Sequence, residues 1–98
     1  MRKSNWFQKE VKSLENDITF ITEGAILDIT EQIVELMQIK KLSKKNLAKI
    51  MGVKPPYITK ILNGDHNMSI KTLVKVFTAL DRELKLSNIE KLNILDKI

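Results

Sequence analysis

The 98-residue sequence predicts an all-α domain of about five helices, one of them an extra N-terminal helix, followed by a short strand or a helical tail. Apolar residues recur every three or four positions along most of the chain, which is the period of a helix. Ser43 and Ser69 each stand directly before such a stretch, where a serine hydroxyl can cap a helix. Between them, a tight turn at Gly52 separates two short helices, and residues 43–63 are therefore the centre of the predicted domain.

Two helices are expected before this centre. The first begins at Ser4 or Asn5 and ends near Asn16, and its apolar side chains pack on the domain, on a second copy or on another protein: Trp6, Phe7, Val11 and Leu14. Residues 17–24 are expected to break the helix, with Phe20 and Ile21 buried. The second helix runs from Thr22 or Ala25 to Lys40, and its buried stripe is Ile26, Ile29, Ile33, Leu36 and Met37.

The two central helices are predicted over residues 44–51 and about 54–62. Ala48 is small enough for the second helix to cross the first closely, and Gly52 tolerates a left-handed backbone in the turn. Pro55 and Pro56 fit a first helical turn, where backbone N–H groups have no partner within the helix. The predicted core of this pair is Leu47, Ala48, Met51, Gly52, Val53, Ile58 and Ile61.

The remainder of the chain is expected to hold one more helix and a tail. Asn63-Gly64 signals a turn, and the helix after Ser69 extends to about Leu80 with this inward face: Ile70, Leu73, Val74, Phe77 and Leu80. Residues 83–86 alternate as a short strand does. The apolar tail that follows either contacts a second copy or packs on its own domain.

Composition excludes several classes of site. The chain has no cysteine and one histidine, so a disulfide, a metal or a cofactor is not expected, and His66 is interpreted as a surface or phosphate-neighbouring residue. No apolar run approaches the roughly 20 residues of a membrane span, and the N-terminus lacks the apolar core of a signal peptide. We therefore expect a cytoplasmic protein that does not contact a membrane.

Charge is distributed unevenly along the chain. Residues 1–35 hold four basic and seven acidic residues, a net charge of −3, whereas residues 36–98 hold 13 basic and five acidic residues, a net charge of +8. Nine lysines and a single acid, Asp65, lie between Lys40 and Lys75. A basic half centred on two crossing helices indicates a polyanionic partner more than a solvated lysine-rich surface.

The segment LSKKNLAKIMGVKPPYITKILNG resembles the helix-turn-helix of Xre/Cro-type regulators, and SIKTLVKVFTAL resembles the helix that follows it there. The resemblance covers residues 42–86, and ILNGDHNMSIKTLVKVFTAL is also similar to HigA-type antitoxins. It implies a lambda-repressor-like fold that binds double-stranded DNA. We accordingly expect a helical extension over residues 1–21, a DNA-binding domain over 22–86, and a tail over 87–98 that could form a dimer contact.

The resemblance also implies which residues contact DNA. The second helix of the motif would face the bases with Lys54, Pro55, Pro56, Thr59 and Lys60. Phosphates would be contacted by Lys44, Asn63, Asn67, Ser69 and Lys71. The prolines depart from the family, because they have no side-chain donor or acceptor and offer only apolar contact with a thymine methyl. Tyr57 is either a further base contact or half-buried.

These observations predict a homodimeric transcriptional repressor that occludes a promoter. An antitoxin that binds and neutralises a ribonuclease-like toxin, and also represses its own operon, is the alternative. A helix-turn-helix kept only as a protein scaffold agrees less well with Lys54 and Lys60. No enzymatic activity is expected, since the sequence shows no nucleophile–base pair, phosphate-binding glycine loop or metal-ligand spacing.

Overall fold

A computed structural model describes the backbone of residues 5–88 and the side chains of residues 14–88. Four α-helices follow one another: α1 (Asn5–Lys40), α2 (Lys44–Met51), α3 (Pro55–Leu62) and α4 (Ile70–Ala79). The all-α fold predicted from the sequence is confirmed. None of the helices in this part of the chain has both the length and the apolarity that crossing a bilayer requires. The predictions for the side chains of Trp6, Phe7 and Val11, and for the tail from Ile89 onward, lie outside the described residues.

α1 runs without interruption through the residues where the sequence predicts a break. Residues 17–24 are helical, so the two helices expected before α2 are one helix of 36 residues, and the predicted break is wrong. This segment contains the weak helix formers Thr19, Thr22 and Gly24. The threonine hydroxyls donate to the carbonyls four residues earlier, at 3.0 and 2.7 Å, and are thereby accommodated within the helix.

Residues 14–25 of α1 are exposed on all sides. Phe20 and Ile21 are not buried as predicted, because no other described element lies against this part of the helix. The longest dimension of the molecule, 53 Å, is close to the ~54 Å that a 36-residue helix spans. The predicted domain boundary between residues 21 and 22 falls inside this helix.

The core forms where the second half of α1 meets the three short helices. Ile33 and Met37 of α1 are buried, and Ile26, Ile29 and Leu36 are half-buried, so the predicted stripe of this helix is confirmed. The buried cluster consists of Ile33, Met37, Leu47, Ala48, Ile58, Ile61, Val76, Phe77 and Leu80. Burial of each large member stabilises the domain by about 1.5–3 kcal/mol.

The inward face of α4 differs from the prediction at two positions. Leu73, Phe77 and Leu80 are buried as expected, but Ile70 and Val74 are exposed and Val76 is buried instead. These four buried residues follow the i, i+3, i+4, i+7 pattern, which leaves Ile70 and Val74 to one side of the buried stripe.

α4 ends in a left-handed turn. Asp81 has φ +60°, its N–H donates to the carbonyl of Thr78, and the N–H of Arg82 donates to the carbonyl of Phe77 at 2.8 Å. Residues 82–88 then continue without regular secondary structure, so the strand considered for residues 83–86 does not form in the described part of the chain.

Candidate nucleic-acid interface

The turn between α2 and α3 fixes their relative positions. Gly52 has φ +71°, and its N–H donates to the carbonyl of Lys49 while the N–H of Val53 donates to that of Ala48 at 2.9 Å. This pair of bonds is the Schellman arrangement, which favours glycine at the left-handed position. Of the predicted core of the motif, the structure buries Leu47, Ala48, Ile58 and Ile61, half-buries Met51 and Val53, and leaves Gly52 exposed.

The solvent-facing side of α3 carries two prolines and is flanked by two lysines, Lys54 and Lys60. Lys54 precedes the helix without a side-chain capping bond, and Pro55 and Pro56 occupy its first two positions. Ile58 and Ile61 are buried on the opposite face. Among the predicted base-facing residues, the structure exposes Lys54, Pro55, Pro56 and Lys60 and half-buries Thr59. An exposed helix of this kind is what a helix-turn-helix presents to a major groove.

Lys60 has an acidic neighbour at the end of α3. Its Nζ lies 3.9 Å from Oδ2 of Asp65, and its side chain remains 65% exposed. Oδ1 of Asp65 accepts a hydrogen bond of 2.9 Å from the N–H of Asn67, which closes an Asx turn in the α3–α4 loop. Asp65 therefore both shapes the loop and offsets part of the positive charge of Lys60.

Hydroxyl groups connect α3 to the beginning of α4. The Tyr57 hydroxyl lies 3.3 Å from Oγ1 of Thr72, which in turn lies 3.1 Å from Oγ of Ser69. Ser69 caps α4 by accepting from the N–H of Thr72 at 3.1 Å, so the predicted cap is confirmed. These contacts link the predicted base-facing helix to the predicted phosphate-contacting loop.

The predicted phosphate-contacting residues all lie on the surface. Lys44 is at the first position of α2, whose predicted cap Ser43 accepts from the N–H of Asn46 at 3.1 Å. Lys44 and Lys71 make no ion pair within 4.0 Å among the described residues, so both ammonium groups are free to meet an anion. The exposed predicted set is Lys44, Asn63, Asn67, Ser69 and Lys71.

The α3–α4 loop is fastened to α1. Gly64 has φ +88°, and a Cβ at this position would lie 3.3 Å from Cγ2 of Ile26. His66 lies on the surface as predicted, but its Nε2 is 2.8 Å from Oε1 of Glu23. The hydrogen bond and the charge of this carboxylate raise the pKa of His66 above its ordinary value of 6.5.

Sequence reasoning missed three contributors to this surface. Thr72, Asp65 and Glu23 were given no part in this surface. The spacing Ser69-x-x-Thr72 and the isolation of Asp65 among nine lysines were available as signals. The approach of Glu23 to His66, 43 residues apart, had no sequence signal. No group of three or more side chains suited to a metal ion occurs among the residues with described side chains.

Comparison with known proteins agrees with this geometry. The family model described as helix-turn-helix matches residues 33–91, which is more than half of the chain. No curated protein and no solved structure matches the chain. The matched segment contains α2, the turn at Gly52, α3 and α4. The chain belongs to the helix-turn-helix family of DNA-binding regulators, in its Xre/lambda-repressor-like form.

Proposed function

We propose that the protein is a sequence-specific transcriptional repressor that binds its operator as a homodimer in the bacterial cytoplasm and is nucleoid-associated when bound. The observation that supports this most is the division of α3 into a buried apolar face and an exposed face flanked by Lys54 and Lys60. A helix buried on one side against α2 is presented rigidly, as base recognition requires. Repression would follow from occlusion of a promoter.

Base recognition is assigned to the outer face of α3. Lys60 and Thr59 carry hydrogen-bonding groups that can reach base edges, and Lys54 can do so at the beginning of the helix. Pro55 and Pro56 bring apolar surface against the groove floor, where a thymine methyl is the complementary group. With few donors on this face, part of the specificity would come from DNA shape.

Phosphate contacts are assigned to the two regions that flank α3. Lys44 lies at the beginning of α2, and Lys71 lies in the first turn of α4. Backbone N–H groups at the beginning of each helix add to the attraction for an anion. Because the hydroxyls of Tyr57, Thr72 and Ser69 connect α3 to α4, both regions can engage the same duplex without rearrangement.

A homodimer is proposed because one domain covers only a few base pairs. Two copies on a palindrome would place their α3 helices about one helical turn apart, roughly 34 Å. Doubling the contact area is the usual route to useful affinity at physiological salt.

The test is a titration of a duplex from the region upstream of the gene, repeated over a range of salt concentrations. A scrambled duplex of equal length and composition serves as competitor. We expect binding that survives the competitor, with a log–log salt slope of about one unit per neutralised phosphate. Equal, weak binding to both duplexes would contradict sequence-specific repression.

A second candidate is an antitoxin that neutralises a ribonuclease-like toxin and represses the shared operon. One observation favours it: 28 residues of α1 precede the segment that matches the family. This stretch is longer than a DNA-binding domain needs, and its residues 14–25 are exposed. Rescue of growth on co-expression with the product of an adjacent gene would support this role, and the absence of rescue would count against it.

A further inference from the structure

The part of α1 that precedes the matched segment carries an apolar stripe that no other element of the described residues covers. We call residues 14–32 the arm. Leu14, Ile18 and Ile21 are 56%, 52% and 53% exposed. Together with Ala25, which is also exposed, they are spaced four, three and four residues apart along the helix. This is the a/d spacing of a helix that packs along another apolar strip. Leu14, Ile18, Ile21 and Ala25 form what we call the seam.

The charge of the arm is uniformly negative. It contains five acidic residues and no lysine or arginine, and the nearest basic residues along the chain are Lys12 and Lys40. Glu15 and Asp17 directly flank the seam, whereas Glu23 is hydrogen-bonded to His66. An apolar strip edged by carboxylates selects a partner with the opposite charge at its edges.

This charge argues against the other occupants of the seam. DNA and anionic membranes carry the same sign as the arm. A second copy laid along the arm would bring five further carboxylates against the five already present. Like charges beside the seam of two paired helices repel each other and disfavour the pairing.

We propose that the seam and its flanking carboxylates form a docking surface for a basic protein, one that presents an apolar strip edged by lysines or arginines. The inference goes beyond DNA binding. It rests on the second candidate function only in assuming that a protein partner exists. It adds the chemistry of the surface that this partner would present. Because the arm precedes the matched segment, docking and DNA binding have separate readouts.

The probe is a synthetic helical peptide with leucines at its a and d positions and lysines at the flanking positions. A second peptide has the same leucines and carries glutamates in place of the lysines. Binding of each to the full-length protein is measured by fluorescence anisotropy at physiological salt. We expect the lysine peptide to bind about tenfold more tightly, since several exposed ion pairs of small individual strength act together.

Variants locate the site. Ile18→Gln with Ile21→Gln removes the middle of the seam, and glutamine is a good helix former, so α1 should persist. Phe20→Gln is the matched control, because Phe20 is 80% exposed but lies off the seam. We expect the double variant to lose about tenfold in affinity for the lysine peptide and the control to lose little, with DNA binding unchanged in both.

Glu15→Gln with Asp17→Asn is the second test, and it applies even if the seam variant unfolds. We expect this variant to bind the two peptides with nearly equal affinity. Equal binding of both peptides to the natural protein would overturn the proposal, as would no binding of either. The proposal would also be overturned if the natural protein sedimented as a dimer and the seam variant as a monomer, because a second copy would then occupy the seam.

Discussion

Replacing Asp65 with Asn should strengthen DNA binding. Asp65 is the only acid between Lys40 and Lys75, and its Oδ2 lies 3.9 Å from Nζ of Lys60. In water two unit charges at this distance attract by about 1 kcal/mol, and exposed pairs realise between 0.2 and 1 kcal/mol, roughly. Freeing Lys60 should therefore tighten binding by roughly 1.4- to fivefold at low salt. The Asn67 N–H keeps an acceptor, because the amide oxygen of asparagine can replace the carboxylate.

The control for this variant is Asp81→Asn. It removes the same unit of negative charge and the same kind of contact, since Asp81 lies 4.0 Å from Nζ of Lys40. Asp81 has φ +60°, which asparagine also adopts readily, so the fold should be preserved. Affinities are measured by anisotropy with the operator duplex at two salt concentrations, and the gain should shrink at the higher one. Equal gains in both variants would show only an effect of net charge, and no gain in Asp65→Asn would refute the placement of Lys60 against DNA.

Three further predictions follow from the same structure. Lys60→Ala should weaken specific binding more than nonspecific binding, whereas Lys44→Ala should weaken both equally, because only Lys60 is assigned to bases. Competition with scrambled DNA measures the two losses, and the same pattern of losses in both variants would contradict the assignment. Gly52→Ala should destabilise the domain by about 1 kcal/mol, or roughly 4–8 °C in Tm, because a Cβ is disfavoured at φ +71°; an unchanged Tm would contradict this. His66→Gln should lower Tm below pH 6.5 and have less effect as the pH rises through the folded-state pKa of His66. The reason is that Glu23 stabilises the protonated ring of the folded protein, and a Tm difference independent of pH would argue against that ion pair.

The short helices could be predicted from the sequence because local signals determine them. Ser43 and Ser69 cap α2 and α4, Gly52 ends α2, and two prolines begin α3, and each signal acts within four residues of its position. The bounds of α2 agree with the prediction at both ends. The exposed and buried faces of α3 follow from the helical period once those bounds are set.

The continuity of α1 could not be read from the same kind of signal. The seam of residues 14–25 lies on a different side of the helix from the core stripe of residues 26–37. In the sequence, this change in the apolar side of the helix looks like the end of one helix and the beginning of another. Because no other described element covers the seam, its apolar residues had no packing partner within the domain to indicate their direction. Contacts that join distant residues, such as His66 with Glu23, depend on the final fold and leave no pattern in the sequence.

The central claim is that the outer face of α3 lies in the major groove, and a tethered cleavage reagent tests it most directly. The chain has no cysteine, so Pro56→Cys gives a single attachment point for iron-EDTA on the exposed beginning of α3. Thr78→Cys, exposed near the end of α4, is the matched control. On the operator duplex we expect cuts confined to a few base pairs of each half-site from position 56, and no localised cuts from position 78. Localised cuts from position 78, or uniform cleavage from both positions, would contradict the account.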